Sequence, residues 1–241
     1  VMIYNHSDGE PTTRGGGGGY VSYTSGSITD AHFHGNYSFY SGGGLLLWEA
    51  SPSLTRATFT DNVTDDDGGG VGFYSSDSLV EDLVVRGNTA EDLAGGIFVD
   101  AYGDPVIERA IVTDNHCGRD GGGVFVNTSC YAEFYDLVVT HNSAEDMGGG
   151  ISVLTQPDGV LMDNVLIAHN ETWGNYGRGR GGGAYFAYGP WINHMLVADN
   201  HASDSGGGIY YDNYGGTPEN VIVAGNTPAE DGGGILFIGG T

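Results

Sequence analysis

Short runs whose first and third residues are apolar recur along the whole chain, whereas the residue between them varies. One run follows each glycine cluster, as in Ile97-Phe98-Val99, and another precedes an asparagine, as in Leu83-Val84-Val85. Alternation with a period of two is typical of a β-strand that turns every second side chain inward. No helical period lies between the runs, so the pattern predicts an all-β chain of many short strands.

The strands belong to a repeat of about 26 residues. Glycine triplets, one of them reading Ala-Gly-Gly, begin at Gly17, Gly42, Gly68, Ala94, Gly121, Gly148, Gly181, Gly206 and Gly232. An asparagine lies six residues before most triplets, which gives the series Asn36, Asn62, Asn88, Asn115, Asn142, Asn170, Asn200 and Asn226. One repeat cannot bury its own apolar face, so successive repeats must stack. The sequence therefore predicts a right-handed parallel β-helix of about nine coils, a single domain over residues 1–241 with an inserted loop at 171–180.

Stacking at about 4.8 Å places equivalent residues of successive coils in columns. Asparagine side chains in such a column can hydrogen-bond from coil to coil. Stacked glycines permit positive φ and close backbone approach at a tight corner. Because every coil carries both features, and catalytic residues would not repeat in this way, we interpret the two columns as structural.

The repeat resembles that of a known group of proteins. Segments 84–99, 138–153 and 59–73 carry paired motifs similar to the FxxN and GGA[ILV] repeats of chlamydial polymorphic outer-membrane proteins, and they resemble pectin-lyase-like β-helix proteins more broadly. Phenylalanine occupies the FxxN position only at Phe33 and Phe59, and glycine stands where the third residue of GGA is alanine. The resemblance implies a secreted or surface-exposed stalk, often an adhesive one.

Composition and charge restrict the partners. The 241 residues include 31 acidic residues against seven arginines, without lysine, for a net charge of −24. Such a surface repels phosphates, so we expect no nucleic-acid partner. No apolar run reaches the length needed to span a bilayer. The two cysteines, Cys117 and Cys130, are either paired in an oxidising compartment or separate thiols.

An acidic turn lies between most asparagines and the following glycines. Carboxylates stacked one strand spacing apart repel each other and need a neutralising partner. Ca²⁺ accepts carboxylates and backbone carbonyls in loose geometry, so it is the expected cofactor, with a solvated acidic edge as the alternative. The candidate ligands are Asp65, Asp66, Asp67, Glu91, Asp92, Asp120, Glu145, Asp146, Asp204, Glu230 and Asp231.

The insertion at 171–180 concentrates aromatic and cationic side chains. Function collects on loops that depart from a rigid scaffold. The candidate ligand-binding residues, with a glycan as the ligand, are therefore Trp173, Tyr176, Arg178 and Arg180. A polysaccharide lyase would need such an arginine beside clustered carboxylates. Because Arg178 and Arg180 face no acidic cluster within their own coil, we expect a protein that is not an enzyme and keep the lyase as the alternative.

Two columns of apolar residues are predicted to point away from the core. One lies four residues before the asparagines, and the other is the strand series Phe98, Phe125, Tyr185, Tyr210 and Leu236. An exposed apolar stripe of this size predicts a covering chain or segment, whereas simple strand propensity is the alternative. The candidate assembly residues, including the strands at both ends, are Val1, Ile3, Val84, Ile111, Val138, Leu166, Leu196, Ile222, Ile235 and Phe237.

The two ends of the chain read as two halves of one coil without a polar or helical cap. Uncapped strand edges pair with other chains. This favours head-to-tail self-association into a filament, with a fragment of a longer β-helix as the alternative. We therefore expect a structural protein, secreted or on the cell surface. A polysaccharide lyase and a carbohydrate-binding adhesin are the alternative functions.

Overall fold

The structure is a computed structural model that describes residues 2–3, 6–7, 15–155, 159–174, 178–213 and 218–239. Its strands, numbered β1 to β29 along the chain, form three parallel sheets, A, B and C. In each coil the chain passes from sheet A to sheet B to sheet C and returns to sheet A one strand further along. Each strand thus pairs with its equivalents in neighbouring coils, as the repeat predicts.

The three sheets differ mainly in strand length. Sheet A contains β1 (Met2–Ile3), β5 (His32–His34), β9 (Thr58–Thr60), β12 (Leu79–Arg86), β15 (Val106–Thr113), β18 (Glu133–Thr140), β21 (Leu161–Ala168), β24 (Trp191–Ala198) and β27 (Pro218–Ala224), together with β4 (Ser27–Thr29) and β8 (Ser53–Thr55). Sheet B contains β2 (His6–Ser7), β6 (Tyr37–Ser38), β10 (Val63–Thr64), β13 (Thr89–Ala90), β16 (His116–Cys117), β19 (Ser143–Ala144), β22 (Glu171–Thr172), β25 (His201–Ala202) and β28 (Thr227–Pro228). Sheet C contains β3 (Gly19–Ser22), β7 (Leu45–Trp48), β11 (Val71–Tyr74), β14 (Ile97–Asp100), β17 (Val124–Val126), β20 (Ile151–Val153), β23 (Ala184–Phe186), β26 (Ile209–Tyr211) and β29 (Ile235–Phe237). No helix among these described residues is long and apolar enough to cross a membrane.

The inward side chains of the sheets form one continuous core. Its register repeats: Val85 pairs with Val112, which pairs with Val139. The rings of Phe33 and Phe59 stack with their centroids 4.8 Å apart. Burying a Val, Leu, Ile or Phe side chain stabilises a fold by about 1.5–3 kcal/mol. Each coil gains this energy only where neighbouring coils cover it.

Each sheet A strand bends at one polar residue in the left-handed region of φ. These φ values lie between 52° and 57°, and none of the residues is glycine. The series is Asp30, Arg56, Asp82, Arg109, Asp136, Asn164, His194 and Asn220. Asp, Asn and His tolerate this conformation better than most residues. The bend places a polar column beside the outward apolar column on the outer face of sheet A.

Glycine is required at the corner between sheets B and C for two separate reasons. The first glycine of a triplet has positive φ, 70° at Gly68, although Ala94 takes the same place with a φ of 55°. The second glycine lies against the next coil. A Cβ atom on Gly69 would lie 2.5 Å from the carbonyl oxygen of Gly95 and 2.6 Å from that of Thr89.

The prediction that the second apolar column is exposed is wrong. Four residues of this column are buried, and none of them exposes more than 5% of its own surface: Phe98, Phe125, Tyr185 and Tyr210. The acidic turn covers this side of sheet C, because its residues Leu93 and Ala94 pack into one cluster with the two phenylalanines. Leu236, in the last coil, is half-buried.

Both cysteines are free thiols, so the pairing alternative is wrong. Each is buried. Burial raises the pKa of Cys117 to about 12 and that of Cys130 to about 11. The thiolate form, which carries cysteine reactivity, is therefore disfavoured at both positions.

Candidate functional site

The asparagine column forms an unbroken chain of hydrogen bonds through the described coils. The backbone N–H and the side-chain Nδ2 of each asparagine both donate to Oδ1 of the asparagine in the next coil. From Asn88 to Asn115 both distances are 2.9 Å. Nδ2 of Asn115 also donates to the carbonyl oxygen of Val85 at 3.0 Å. The column therefore ties each turn to the coils on either side of it.

Three carboxylates of the acidic turns come together in two adjacent coils. One oxygen each of Asp66, Asp67 and Asp92 lies within 4.8 Å of the others. Burial raises the pKa of Asp67 to about 7, and the neighbouring charge of Asp66 adds to that rise. Asp67 accepts a 3.0 Å hydrogen bond from the backbone N–H of Leu93. Clustered carboxylates with oxygens to spare fit the ligand chemistry of Ca²⁺.

An arginine of the next turn pairs with Asp92 of this cluster and with a carboxylate of its own turn. Arg119 lies 2.8 Å from Asp92 and 3.6 Å from Asp120. Asp120 is 3% exposed, and this burial raises its pKa to about 6. Its carboxylate accepts a 2.9 Å hydrogen bond from the backbone N–H of Met147. Asp120 therefore has a structural partner on each side.

The other predicted metal ligands are distributed along the rod. Asp65 accepts a hydrogen bond from the hydroxyl of Tyr37. Glu145 is half-buried, and exposed positions are taken by Glu91, Glu230 and Asp231. The structure thus brings only part of the predicted acidic series within reach of one ion.

The two arginines of the insertion are paired with carboxylates of neighbouring coils. Arg178 lies 3.7 Å from Asp146, and Arg180 lies 3.8 Å from Asp204. The guanidinium of Arg180 also lies over the Tyr210 ring, 5.2 Å from its centroid. Sequence reasoning considered acidic groups within one coil only, and the pairing runs between coils. Each guanidinium therefore has a carboxylate within 4 Å, although Nε of Arg180 and Oδ1 of Asp146 are buried without a hydrogen-bond partner.

Two of the predicted ligand-binding residues, Arg178 and Arg180, line one cavity of about 250 Å³ with Asp146 and Met147, and Trp173 is not part of its lining. Glu171–Thr172 is a regular sheet B strand, so the extra residues follow it. Trp173 is 44% exposed and stacks on His116, with ring centroids 6.0 Å apart. Tyr176 lies outside the described residues.

An open groove of about 480 Å³ lies on the outer face of sheet A, where the sequence predicts an assembly interface but no ligand-binding site. We call it the sheet A groove. Its apolar side is the outward column Val138, Leu166, Leu196 and Ile222. Its polar side is the column at the strand bend, Asp136, Asn164, His194 and Asn220. The groove therefore runs across four successive coils, along the rod.

Hydrogen bonds between coils fix the polar groups beside this groove. Asp163 Oδ1 accepts a 3.1 Å hydrogen bond from Asn193 Nδ2 and lies 3.1 Å from His194 Nδ1. Asn220 Nδ2 donates to Asn193 Oδ1, also at 3.1 Å. Side chains held in this way lose little freedom when a ligand binds.

An exposed tryptophan lies on β24, the strand that carries His194 of the sheet A groove. Trp191 is 44% exposed and lines a smaller groove of about 200 Å³ with Leu161, Asn193 and Glu219. A sequence signal for this face exists, because a polar residue lies six positions before every ladder asparagine, as Asn164 lies before Asn170.

The predicted assembly residues are accessible to different degrees. In the sheet A column, Ile111, Leu196 and Ile222 are 46%, 40% and 63% exposed. The others of that column, Val84, Val138 and Leu166, are half-buried. At β29, Ile235 and Phe237 are 36% and 53% exposed. Val1 and the side chain of Ile3 lie outside the described residues.

Comparison with known proteins agrees with the three-sheet solenoid. The family model described as the right-handed beta helix region matches residues 3–136, which is more than half of the chain. No curated protein and no solved structure matches the chain. The more specific likeness to the polymorphic outer-membrane repeats stays a prediction. The family match and the parallel stacking of sheets A, B and C together place the chain in the right-handed β-helix family.

Proposed function

We propose that this protein is a secreted or cell-surface β-helix rod that binds a polysaccharide along the outer face of sheet A. The observation that carries the proposal is the sheet A groove. It combines an apolar strip and a polar edge of fixed side chains, and its strand β24 also carries Trp191. Sugar rings present apolar faces and hydroxyl edges, which match an aromatic side chain beside hydrogen-bonding groups.

The direction of the groove favours a chain-like ligand. Equivalent groups recur from coil to coil at a spacing of about 4.8 Å. The polar side offers Asn164, His194 and Asn220 in three successive coils. A polymer lying along the rod would meet several weak subsites at once, and their linked contacts add up to useful avidity.

We propose binding without cleavage. A lyase needs an uncompensated base beside the bound sugar. Arg178 and Arg180, the predicted bases, are paired with Asp146 and Asp204. Neither arginine lines the sheet A groove. The expected readout is retention of the polysaccharide without new reducing ends or unsaturated uronides. The appearance of either product would restore the lyase alternative.

Two tryptophans of equal exposure allow a matched test. Trp191 lies on β24 of the groove, whereas Trp173 lies in the inserted turn, and each is 44% exposed. We expect Trp191→Ala to weaken binding at least tenfold in affinity electrophoresis against hydroxyethylcellulose, galactomannan, mixed-linkage glucan and methyl-esterified polygalacturonate. Trp173→Ala should bind as the wild type does. Weaker binding by Trp173→Ala but not by Trp191→Ala would place the site in the insertion. Equal binding by the wild type and both variants would contradict binding at the sheet A groove.

We also propose that Asp66, Asp67 and Asp92 bind Ca²⁺. Support comes from their oxygens, which lie within 4.8 Å of one another. An ion that binds only the folded state raises its stability by mass action. Millimolar Ca²⁺ should therefore raise the Tm of the wild type, and EDTA should reverse the rise. In Asp92→Asn the rise should shrink, whereas Asp231→Asn, an exposed control, should respond fully. Identical responses in all three proteins would contradict the site.

Head-to-tail assembly is a second structural role that we propose. It is supported by the parallel stacking of equivalent strands, because the register that joins β26 to β29 within one chain can also join strands of two chains. Exposed strand edges with apolar side chains associate. Negative-stain images of concentrated protein should show rods longer than one molecule, and Phe237→Asp should shorten them. Single short rods for the wild type would refute assembly.

A further inference from the structure

We infer that the polysaccharide taken by the sheet A groove is a neutral one, without carboxylate or sulfate groups. This inference rests on the proposed function and narrows its ligand class. Two observations support it. The charged groups that face the groove are carboxylates, and the described arginines are already paired with other carboxylates.

The charged groups along the groove are acidic. Asp136 lines the groove itself, and Glu219 lines its smaller neighbour beside Trp191. Asp163 lies next to them, 3.1 Å from His194. These carboxylates stand on β18, β21 and β27 of one sheet, so a uronic-acid chain would place its own carboxylates beside them. The net charge of −24 adds a long-range repulsion of the same sign.

The molecule holds no uncompensated arginine to offset that repulsion among its described residues. Lysine is absent from the sequence. Each described arginine lies within 3.8 Å of a carboxylate, in the pairs Arg56–Asp30, Arg86–Asp114, Arg109–Asp82, Arg119–Asp92, Arg178–Asp146 and Arg180–Asp204. Two described arginines stand in the same column as the polar side of the groove. Arg56 pairs with Asp30, and Arg109 contacts the carboxylates of Asp82, Glu81 and Glu108. Proteins bind anionic groups chiefly through available cations of this kind.

A neutral glycan meets the same surface without this penalty. Its hydroxyls can donate to the carboxylates of Asp136 and Glu219 and can accept from amide or imidazole donors. Its ring faces can pack on Trp191 and on the apolar column. The charge argument also disfavours a second copy of this chain as the occupant, because two copies would bring the same carboxylates together.

The test uses pairs of polysaccharides that share a backbone and differ in charge. The pairs are hydroxyethylcellulose with carboxymethylcellulose, and methyl-esterified polygalacturonate with polygalacturonate. EDTA is present throughout, so that Ca²⁺ cannot bridge protein and ligand. We expect the neutral member of the pair that binds to have at least a tenfold lower Kd than its charged partner, with the difference shrinking as salt is added.

Variants separate the charge effect from the site itself. The triple variant Asp136→Asn, Asp163→Asn, Glu219→Gln should lower the ratio of the charged member's Kd to the neutral member's Kd at least threefold, provided its circular dichroism matches the wild type. If the triple variant does not fold, the three single variants are compared with the wild type in the same binding experiment. Equal or tighter binding of the charged member by the wild type would overturn the neutral class while leaving a glycan site in place. Binding of no polysaccharide would overturn the proposed function, and dimerisation through this face would assign it to a second copy.

Discussion

At the scale of single residues, the side-chain oxygen of a buried asparagine carries much of the stability of a turn. Oδ1 of Asn115 accepts hydrogen bonds from both the N–H and the Nδ2 of Asn88, and all these groups are buried. Asn115→Ala leaves two buried donors without an acceptor. Each costs about 1–3 kcal/mol, so we expect a loss of about 3 kcal/mol in the free energy of unfolding, measured by denaturant titration.

The end of the same column supplies the control for that prediction. Asn226 receives the equivalent two hydrogen bonds from Asn200 but is only half-buried. Water can replace its oxygen, so Asn226→Ala should cost about 1 kcal/mol or less. If Asn115→Ala and Asn226→Ala lose the same free energy of unfolding, burial of an asparagine does not determine how much it stabilises the fold.

Asp67 gives the fold an unusual dependence on pH. Its pKa is raised from an ordinary 3.8 to about 7, chiefly by burial, so the folded state binds the proton more tightly than the unfolded chain does. The contribution of this group to stability is therefore complete below pH 4 and is lost as pH rises through about 7. Asp67→Asn removes the ionisation and retains an oxygen for the N–H of Leu93.

The raised pKa of Asp67 sets the direction of the expected change in melting temperature. In the presence of EDTA, Asp67→Asn should melt at a higher temperature than the wild type at pH 8 and at nearly the same temperature at pH 4. Asp231→Asn changes the equivalent residue of the last acidic turn, which is exposed, and should have no such effect. A wild type more stable than Asp67→Asn at pH 8 would show that the ionised carboxylate is favoured by a partner.

At the scale of elements, the corner between sheets B and C depends on backbone contact between coils. A Cβ atom on Gly69 would lie 2.5 Å and 2.6 Å from two carbonyl oxygens. Backbone atoms cannot move aside as a flexible side chain can, so Gly69→Ala should destabilise the protein by about 3 kcal/mol or more. Gly26→Ala is the control, since a Cβ there meets nothing within 4 Å. Similar thermal denaturation of the two variants would refute close contact at the corner.

The elements also show what the sequence could and could not reveal. Alternation assigned Val85 and Val112 to the core, because a period of two fixes which side faces inward. It could not show that Leu93 covers Phe98, because alternation says nothing about what lies beyond the outward side. The pairing of Arg178 with Asp146 was likewise hidden, since it joins residues of different coils.

The candidate groove was missed for a related reason. Its polar side comes from the left-handed bend in sheet A, and residues such as Asn164 and His194 read as ordinary surface positions until the bend is known. The bend sets them beside Leu166 and Leu196. Recurrence of a polar residue six positions before each asparagine is the signal that would have pointed to this column.

At the scale of the whole molecule, stability arises from contacts between neighbouring coils. Each sheet A strand pairs with the equivalent strands before and after it, as β15 pairs with β12 and β18. In such a solenoid the energy is approximately a sum of coil terms and nearest-neighbour interfaces. One complete coil is therefore removable if the columns on either side of the deletion meet in register.

Deletion of residues 89–115 removes β13, β14 and β15 and joins Asn88 to His116. Asn88 then stacks on Asn142, and Val85 faces Val139, so every column continues. We expect a cooperatively unfolding β-helix, shorter by about 4.8 Å in its maximum dimension by small-angle X-ray scattering. Deletion of residues 89–101 is the control, since it removes only β13 and β14 and leaves a sheet A strand where sheet B and sheet C strands are needed. This second deletion should unfold at a lower temperature and less cooperatively than the first, because it interrupts the interfaces between the coils on either side. If both deletions unfold the protein, its stability depends on the particular coil and not on the stacking of equivalent ones.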